Sequence, residues 1–131
     1  MLIAGAEPRH PFFVAATTAL TEVRESGVLI AHTLAETFSV LTGPSYRRSG
    51  HRVVEFLEQF LVRDPIGVTP AQYPAALVEL STVGIAGGAL YDGLIGLGAR
   101  HQRVTLVSFD RRAAGTYRRC RVDFRLMLQD A

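Results

Sequence analysis

Gly87-Gly88-Ala89-Leu90-Tyr91-Asp92, followed downstream by Ser108-Phe109-Asp110, is the stretch of sequence that decides the fold. Asp92 lies in the first turns of a predicted helix, and Asp110 lies where a predicted strand over residues 104–107 ends. In an open parallel α/β sheet, strand carboxyl ends and helix starts gather at one edge, where ligands bind. A third acid, Glu36, follows another predicted change from strand to helix. The sequence therefore predicts three carboxylates at one edge of a sheet.

Three acids at such an edge suggest a divalent cation, because the carboxylates would repel one another without one. The four histidines include no His–His pair at i, i+4 spacing, and Cys120 is the only cysteine, so a zinc site is not indicated. Oxygen-only ligation favours Mg²⁺ or Mn²⁺. Such ions can activate a water and stabilise the departing oxygen in phosphodiester hydrolysis. The pattern therefore points to phosphate chemistry.

Each acid also has a purely structural interpretation. Glu36 follows Thr33 by three residues, which matches a capping box. Asp92 near a helix start is favoured by the helix dipole. Asp110, just before Arg111 and Arg112, could cap the next helical turn. At this point both interpretations stay open for each residue.

Length and composition predict one globular α/β domain over residues 1–131. There is no apolar run long enough to span a membrane and no secretory signal, and a single cysteine fits a reducing, cytoplasmic setting. All fourteen basic residues are arginines, and eight of them fall between Arg100 and Arg125. Arginine binds phosphate oxygens through two hydrogen bonds at once, although these side chains could equally form a solvated helix face.

Hydrophobic periodicity predicts strands alternating with helices, which is typical of a parallel sheet with helices on both faces. Predicted helices cover about residues 11–25, 33–42, 50–61, 69–82, 92–100 and 111–117. Predicted strands cover residues 1–4, 28–31, 66–68, 104–107 and 122–124. Gly84, Gly87 and Gly88 are expected to form a tight turn.

The chain resembles the PIN-domain ribonucleases, in particular the VapC-type toxins of bacterial toxin–antitoxin pairs. The resemblance covers nearly the whole chain. It rests on Leu34-Ala35-Glu36 entering a helix, on Gly87-Gly88-Ala89-Leu90-Tyr91-Asp92-Gly93-Leu94-Ile95, and on Leu106-Val107-Ser108-Phe109-Asp110-Arg111-Arg112 with Tyr117 beyond. It implies a three-layer sandwich with a mostly parallel central sheet flanked by helices.

The same resemblance implies a function. The chain would be a Mg²⁺- or Mn²⁺-dependent endoribonuclease, a homodimer, and the target of a cognate antitoxin. Glu36, Asp92 and Asp110 would be the catalytic, metal-coordinating acids. Arg111 and Arg112 are expected to help hold the RNA backbone.

One feature departs from the family pattern. Family members open with a strand that ends in an Asp, as in Asp-Thr-Ser-x-Leu-Ile, whereas this sequence starts at Met1-Leu2-Ile3-Ala4. We therefore expect an N-terminally truncated PIN-like domain without the first acid. A late-assigned start or truncation, a degenerate copy, and a partner chain that fills the missing strand are the open explanations.

Two other functions stay open from the sequence. The chain could be a catalytically impaired PIN-fold module that keeps antitoxin or RNA binding. It could also be a small phosphatase or nucleotide-binding α/β domain that uses the same acids.

Overall fold

The computed structural model describes residues 1–127 of the chain, which separates into two compact units. The first unit comprises Met1–Pro65, and the described part of the second comprises residues 66–127. The prediction of a single domain over residues 1–131 stays a prediction, and its last four residues lie outside the described part.

The first unit consists of four helices, namely α1 (Leu2–Ala6), α2 (Phe13–Ser26), α3 (Ala31–Thr42) and α4 (Gly50–Glu58). Apolar side chains from all four helices and from the α2–α3 connection form its core, which comprises Leu2, Leu20, Leu29, Leu41, Val53 and Leu57. Helices α2, α3 and α4 each expose the opposite face, as expected of amphipathic helices packed around one core. Ser49 is the N-cap of helix α4, and its side chain accepts a hydrogen bond from the Arg52 amide.

Two strands predicted for this unit are absent from the structure. Residues 1–4 were expected to be extended, but Leu2–Ala6 forms a helix whose Leu2 and Ala4 are buried. Residues 28–31 were also expected to form a strand, but Ala31 already begins α3, and only Ile30 forms an isolated bridge. The Thr33 hydroxyl donates to the Ile30 carbonyl at 2.6 Å, which favours this early helix start. Runs of four apolar residues do not distinguish strand from buried helix.

The second unit mixes helices and strands. A 3₁₀ turn (Pro70–Gln72) leads into α5 (Tyr73–Thr82), which is followed by α6 (Ala89–His101), β1 (Leu106–Ser108), α7 (Ala114–Arg119) and β2 (Phe124–Leu126). The two strands pair in parallel, with Leu106 opposite Phe124 and Ser108 opposite Leu126. Helix α7 connects them, so they form a βαβ unit. The predicted α/β class with a parallel sheet is confirmed, and the sheet within the described residues has two strands. Residues 66–68 were predicted to be a strand but contribute only a single bridge residue at Ile66.

Helix α6 is the buried centre of the second unit, since residues 93–99 are all buried. Its glycines weaken the helix intrinsically but allow close packing. A Cβ atom at Gly98 would lie 2.9 Å from the backbone Cα of Gly67. The turn before α6 uses Gly84 and Gly87 at positive φ, as the glycine cluster predicted. Asp92 therefore lies in a partly exposed first turn that leads directly into this buried segment.

Within residues 1–127, none of the helices combines the length and the hydrophobicity needed to cross a bilayer.

Candidate functional site

Asp110 lies two residues after β1, in a turn that its own side chain stabilises. Its Oδ1 accepts a hydrogen bond from the Arg112 backbone amide at 2.8 Å, and its own amide donates to Ser108 Oγ at 3.1 Å. Ser108 is buried and its carbonyl accepts from the Met127 amide at 2.8 Å, so the turn is tied to the strand pair. Asp110 therefore stabilises this turn but is not the predicted N-cap of a helix, because α7 has Ala113 at its N-cap and no side-chain cap there. Its second carboxylate oxygen makes no hydrogen bond to any residue between 1 and 127, and the residue is exposed.

Asp92 lies in the first turn of α6 and is half-buried. The predicted position near a helix start is therefore confirmed. The positive end of the helix dipole stabilises a carboxylate there. Two backbone hydrogen bonds set the turn that begins α6, from the Leu90 amide to Gly87 at 3.1 Å and from the Tyr91 amide to Gly88 at 3.3 Å. Asp92 and Asp110 thus both belong to the second unit, one at a helix start and one after a strand end.

Glu36 lies in the middle of α3, in the first unit. The helix starts at Ala31 with Ile30 at the N-cap and has no acid in its first turn, so the capping-box interpretation is wrong. Glu36 instead forms an i, i+4 ion pair with His32 when that histidine is protonated, with Oε1 3.3 Å from Nε2. In the sequence this pair is visible only as the four-residue spacing between His32 and Glu36. Nearly half of the Glu36 side chain is exposed.

Metal-binding donors do not cluster within either unit. As far as residue 127, no three His, Cys, Asp or Glu side chains in the same unit converge into a possible metal site. Asp92 and Asp110 still offer the hard oxygen donors that Mg²⁺ and Mn²⁺ prefer, and Mg²⁺ commonly uses one or two carboxylates together with waters. Glu36, Asp92 and Asp110 therefore stay predicted metal ligands whose donor type fits the ion.

Arg111 and Arg112 are exposed in the turn that follows Asp110. The Arg112 amide donates to Asp110, whereas neither guanidinium group forms an ion pair within residues 1–127. Positive charge next to an exposed carboxylate suits a phosphate-bearing ligand. Their predicted contact with RNA is a hypothesis that this geometry permits.

An ion pair not foreseen from the sequence holds the far end of α6. Arg100 contacts both carboxylate oxygens of Glu79, at 2.6 and 2.7 Å, and also donates to the Cys120 carbonyl at 2.6 Å. The hydrogen bonds from Arg100 lower the pKa of Glu79, against the opposing effect of burial. This contact joins α5, α6 and the end of α7, so it supports the helix that carries Asp92.

Cys120 does not provide an alternative nucleophile. The side chain is buried in the core of the second unit, and burial raises the pKa of its thiol. A thiol that resists ionisation is a poor nucleophile.

Comparison with curated proteins gives a match over nearly the whole chain. The protein named Ribonuclease VapC40 in Mycobacterium tuberculosis strain CDC 1551 / Oshkosh is 34% identical over 130 residues, which cover 97% of this chain and 94% of that protein. The protein of the same name in strain ATCC 25618 / H37Rv matches with the same identity and coverage. No protein-family model matches the chain, and no solved structure matches it significantly.

Proposed function

The chain belongs to the VapC ribonuclease family, and on this premise we propose that it is an endoribonuclease toxin that hydrolyses RNA phosphodiester bonds at a carboxylate-bound Mg²⁺ or Mn²⁺. The observation that carries the proposal is the 34% identity to Ribonuclease VapC40 over 97% of the chain. The positions of Asp92 at a helix start and Asp110 after a strand are compatible with it.

The chain's own residues have defined roles in this proposal. Asp92 and Asp110, together with Glu36, would hold the ion. A bound Mg²⁺ or Mn²⁺ would lower the pKa of a water that it holds and would stabilise negative charge on the phosphate. Hydrogen bonds with Arg112 and Ser108 fix the Asp110 turn and occupy Oδ1 of its carboxylate. The other carboxylate oxygen would be the one that contacts the ion. Arg111 and Arg112 would bind the phosphates that flank the cleaved bond.

The partners follow from the same family membership. We propose a cognate antitoxin protein, an RNA substrate and a homodimer in the cytoplasm. Co-expression of the chain with a candidate antitoxin, followed by size-exclusion chromatography with light scattering, measures both the pairing and the stoichiometry.

The test of the reaction is the substitution Asp92→Asn. We expect the purified full chain to cleave single-stranded RNA with Mg²⁺ or Mn²⁺ and to lose this activity with EDTA. The change Asp92→Asn keeps the size of the side chain but removes the charge that binds a cation, so cleavage should fall by at least about a hundredfold, a typical loss for a removed transition-state contact. Denaturing gel electrophoresis of a labelled RNA measures the rate.

Asp64→Asn is the matched control, since it removes one exposed carboxylate from an irregular segment of the first unit. It should leave cleavage unchanged. Equal activity of the wild-type chain and Asp92→Asn would contradict the assigned role of Asp92. A wild-type chain that binds RNA or the antitoxin but never cleaves would instead identify a catalytically impaired binding module.

A further inference from the structure

A cavity of about 390 Å³ opens in the first unit, where the chain passes from α3 into α4. One part of its lining is apolar and consists of the buried Leu41 and Val53 with the half-buried ring of Phe56. The other part is basic and polar, with Arg47, Ser49 and Arg52. An apolar wall facing a few polar groups, at this volume, is typical of a small-ligand pocket.

The charges at this cavity are not balanced by acids. Arg48 also lines it, but its guanidinium is occupied, donating to the Ala6 carbonyl at 2.8 Å and to Glu7 Oε2 at 2.9 Å. Arg47 and Arg52 have no carboxylate within ion-pair distance among residues 1–127, and their side chains donate no hydrogen bond there. Two guanidinium groups are therefore available to an anionic ligand.

The local backbone places Arg47 in a turn. Arg47 has a φ of 50°, in the left-handed region that favours glycine or asparagine. Two backbone hydrogen bonds hold this turn. The Arg47 amide donates to the Gly43 carbonyl at 2.8 Å, and the Arg48 amide donates to the Leu41 carbonyl at 2.9 Å. Arg103 and Arg121 have the same left-handed backbone away from the cavity, so the positive φ describes the turn that carries Arg47 and is not itself a sign of ligand binding.

We infer that this cavity holds one nucleotide of single-stranded RNA, with the phosphate between Arg47 and Arg52 and the base against the Phe56 side. The inference rests on the proposed function and assigns a substrate contact outside the predicted acids and Arg111–Arg112. Arginine forms paired hydrogen bonds with phosphate oxygens. Unstacked bases bind to aromatic and apolar side chains.

The test is equilibrium binding of a short fluorescein-labelled single-stranded RNA, measured by anisotropy in EDTA over a range of salt concentrations. The full chain is compared with the double variant Arg47→Gly/Arg52→Gln. Each lost phosphate contact should reduce the slope of log affinity against log salt by about 0.7, so the double variant should lose about 1.4. Arg47→Gly also relieves the positive φ, so we expect the melting temperature to be kept or raised while binding weakens.

The matched control is Arg9→Gln/Arg24→Gln, which removes two exposed charges of the same unit that do not line the cavity. It should leave the salt slope almost unchanged. An equal loss of slope in both double variants, or no loss in the cavity variant, would overturn the inference. A loss of antitoxin binding with unchanged RNA binding would also overturn it and make the cavity a protein site.

Failure of the inference and failure of the proposed function give different results. Cleavage of RNA by the wild-type chain, with no effect of the cavity variant on binding, rejects only the cavity. A wild-type chain that neither cleaves nor binds RNA rejects both.

Discussion

Helices α6 and α3 carry candidate acids in contrasting surroundings. Seven consecutive residues of α6 are buried, and the helix starts from a glycine turn that places Asp92 in its first turn. Helix α3 buries only Thr37 and Leu41, and Glu36 lies on its exposed side with His32 as its partner. The backbone that carries Asp92 leads directly into a buried segment, whereas the backbone that carries Glu36 belongs to a helix with only two buried residues.

This difference separates the three predicted ligands by how strongly the fold constrains them. Asp110 resembles Asp92 in this respect, because its turn is tied to the β1–β2 pair. Both residues belong to the second unit. Glu36 needs an independent test, since an i, i+4 pair with histidine is by itself a sufficient explanation for a glutamate there.

The largest stability effect is expected from Gly98→Ala, which breaks the packing of α6. The new Cβ would lie 2.9 Å from the Gly67 Cα, and backbone atoms cannot move away as a flexible side chain could. We expect the free energy of unfolding to fall by about 2 kcal/mol, the net of overpacking and the gain in helix propensity. Urea unfolding followed by circular dichroism measures it.

Gly115→Ala is the matched control, because Gly115 lies in α7 of the same unit and a Cβ there would meet nothing within 4 Å. It should stabilise the chain by about 0.5–1 kcal/mol through helix propensity. Equal effects of the two substitutions would show that α6 does not need its glycines for close packing.

The next effect is expected at Asp110, where two substitutions separate turn formation from chemistry. Asp110→Ala removes the acceptor for the Arg112 amide and should cost about 1 kcal/mol, as for a lost cap. Asp110→Asn keeps an acceptor oxygen but not the charge, so stability should be largely kept while RNA cleavage is lost. If Asp110→Asn still cleaves RNA, the role of Asp110 is to stabilise its turn and not to bind the ion.

Some helices and strands of this chain could be predicted from the sequence and others could not. Residues 92–100 and 104–107 were predicted to be helix and strand within a few residues of the observed bounds, because turn glycines and β-branched residues mark them. Residues 1–4, 28–31 and 66–68 were not correctly predicted, since a short apolar run becomes a strand only if another strand pairs with it. The Glu79–Arg100 pair joins residues 21 apart in sequence, so no local pattern encodes it. The arginine-lined cavity draws almost entirely on residues 41–56, but its shape depends on how α3 packs on α4.

A smaller effect is expected at Glu79, whose ion pair holds the C-terminal end of α6. Its pKa is lowered by Arg100 from an ordinary value of 4.5, so its stabilising contribution is present above that pH and is lost as pH falls through the folded-state pKa. Glu79→Gln should cost about 0.5–1 kcal/mol at neutral pH, a modest figure because both side chains are about a third exposed. The difference from wild type should shrink below pH 4.5.

Unfolding measured at neutral pH and at acid pH checks this, with Glu58→Gln as the control. Glu58 is an exposed carboxylate at the end of α4, and within residues 1–127 it forms no ion pair. If the difference in the free energy of unfolding between Glu79→Gln and wild type does not change with pH, the side chain stabilises the fold through its shape and not through its charge.

The smallest effect on stability is expected from Glu36→Gln. The same substitution tests whether the acid on α3 contributes to cleavage as the acid on α6 is proposed to do. Loss of the His32 pair should cost only about 0.3 kcal/mol. The chain supplies its own control in α4, where His51 and Glu55 form the same i, i+4 pair at 3.0 Å with greater exposure. If Glu36 is a metal ligand, Glu36→Gln abolishes RNA cleavage and Glu55→Gln does not, although both change stability equally little. If both variants cleave normally, Glu36 is only a helix partner, and the acids that matter are the two whose positions the second unit fixes.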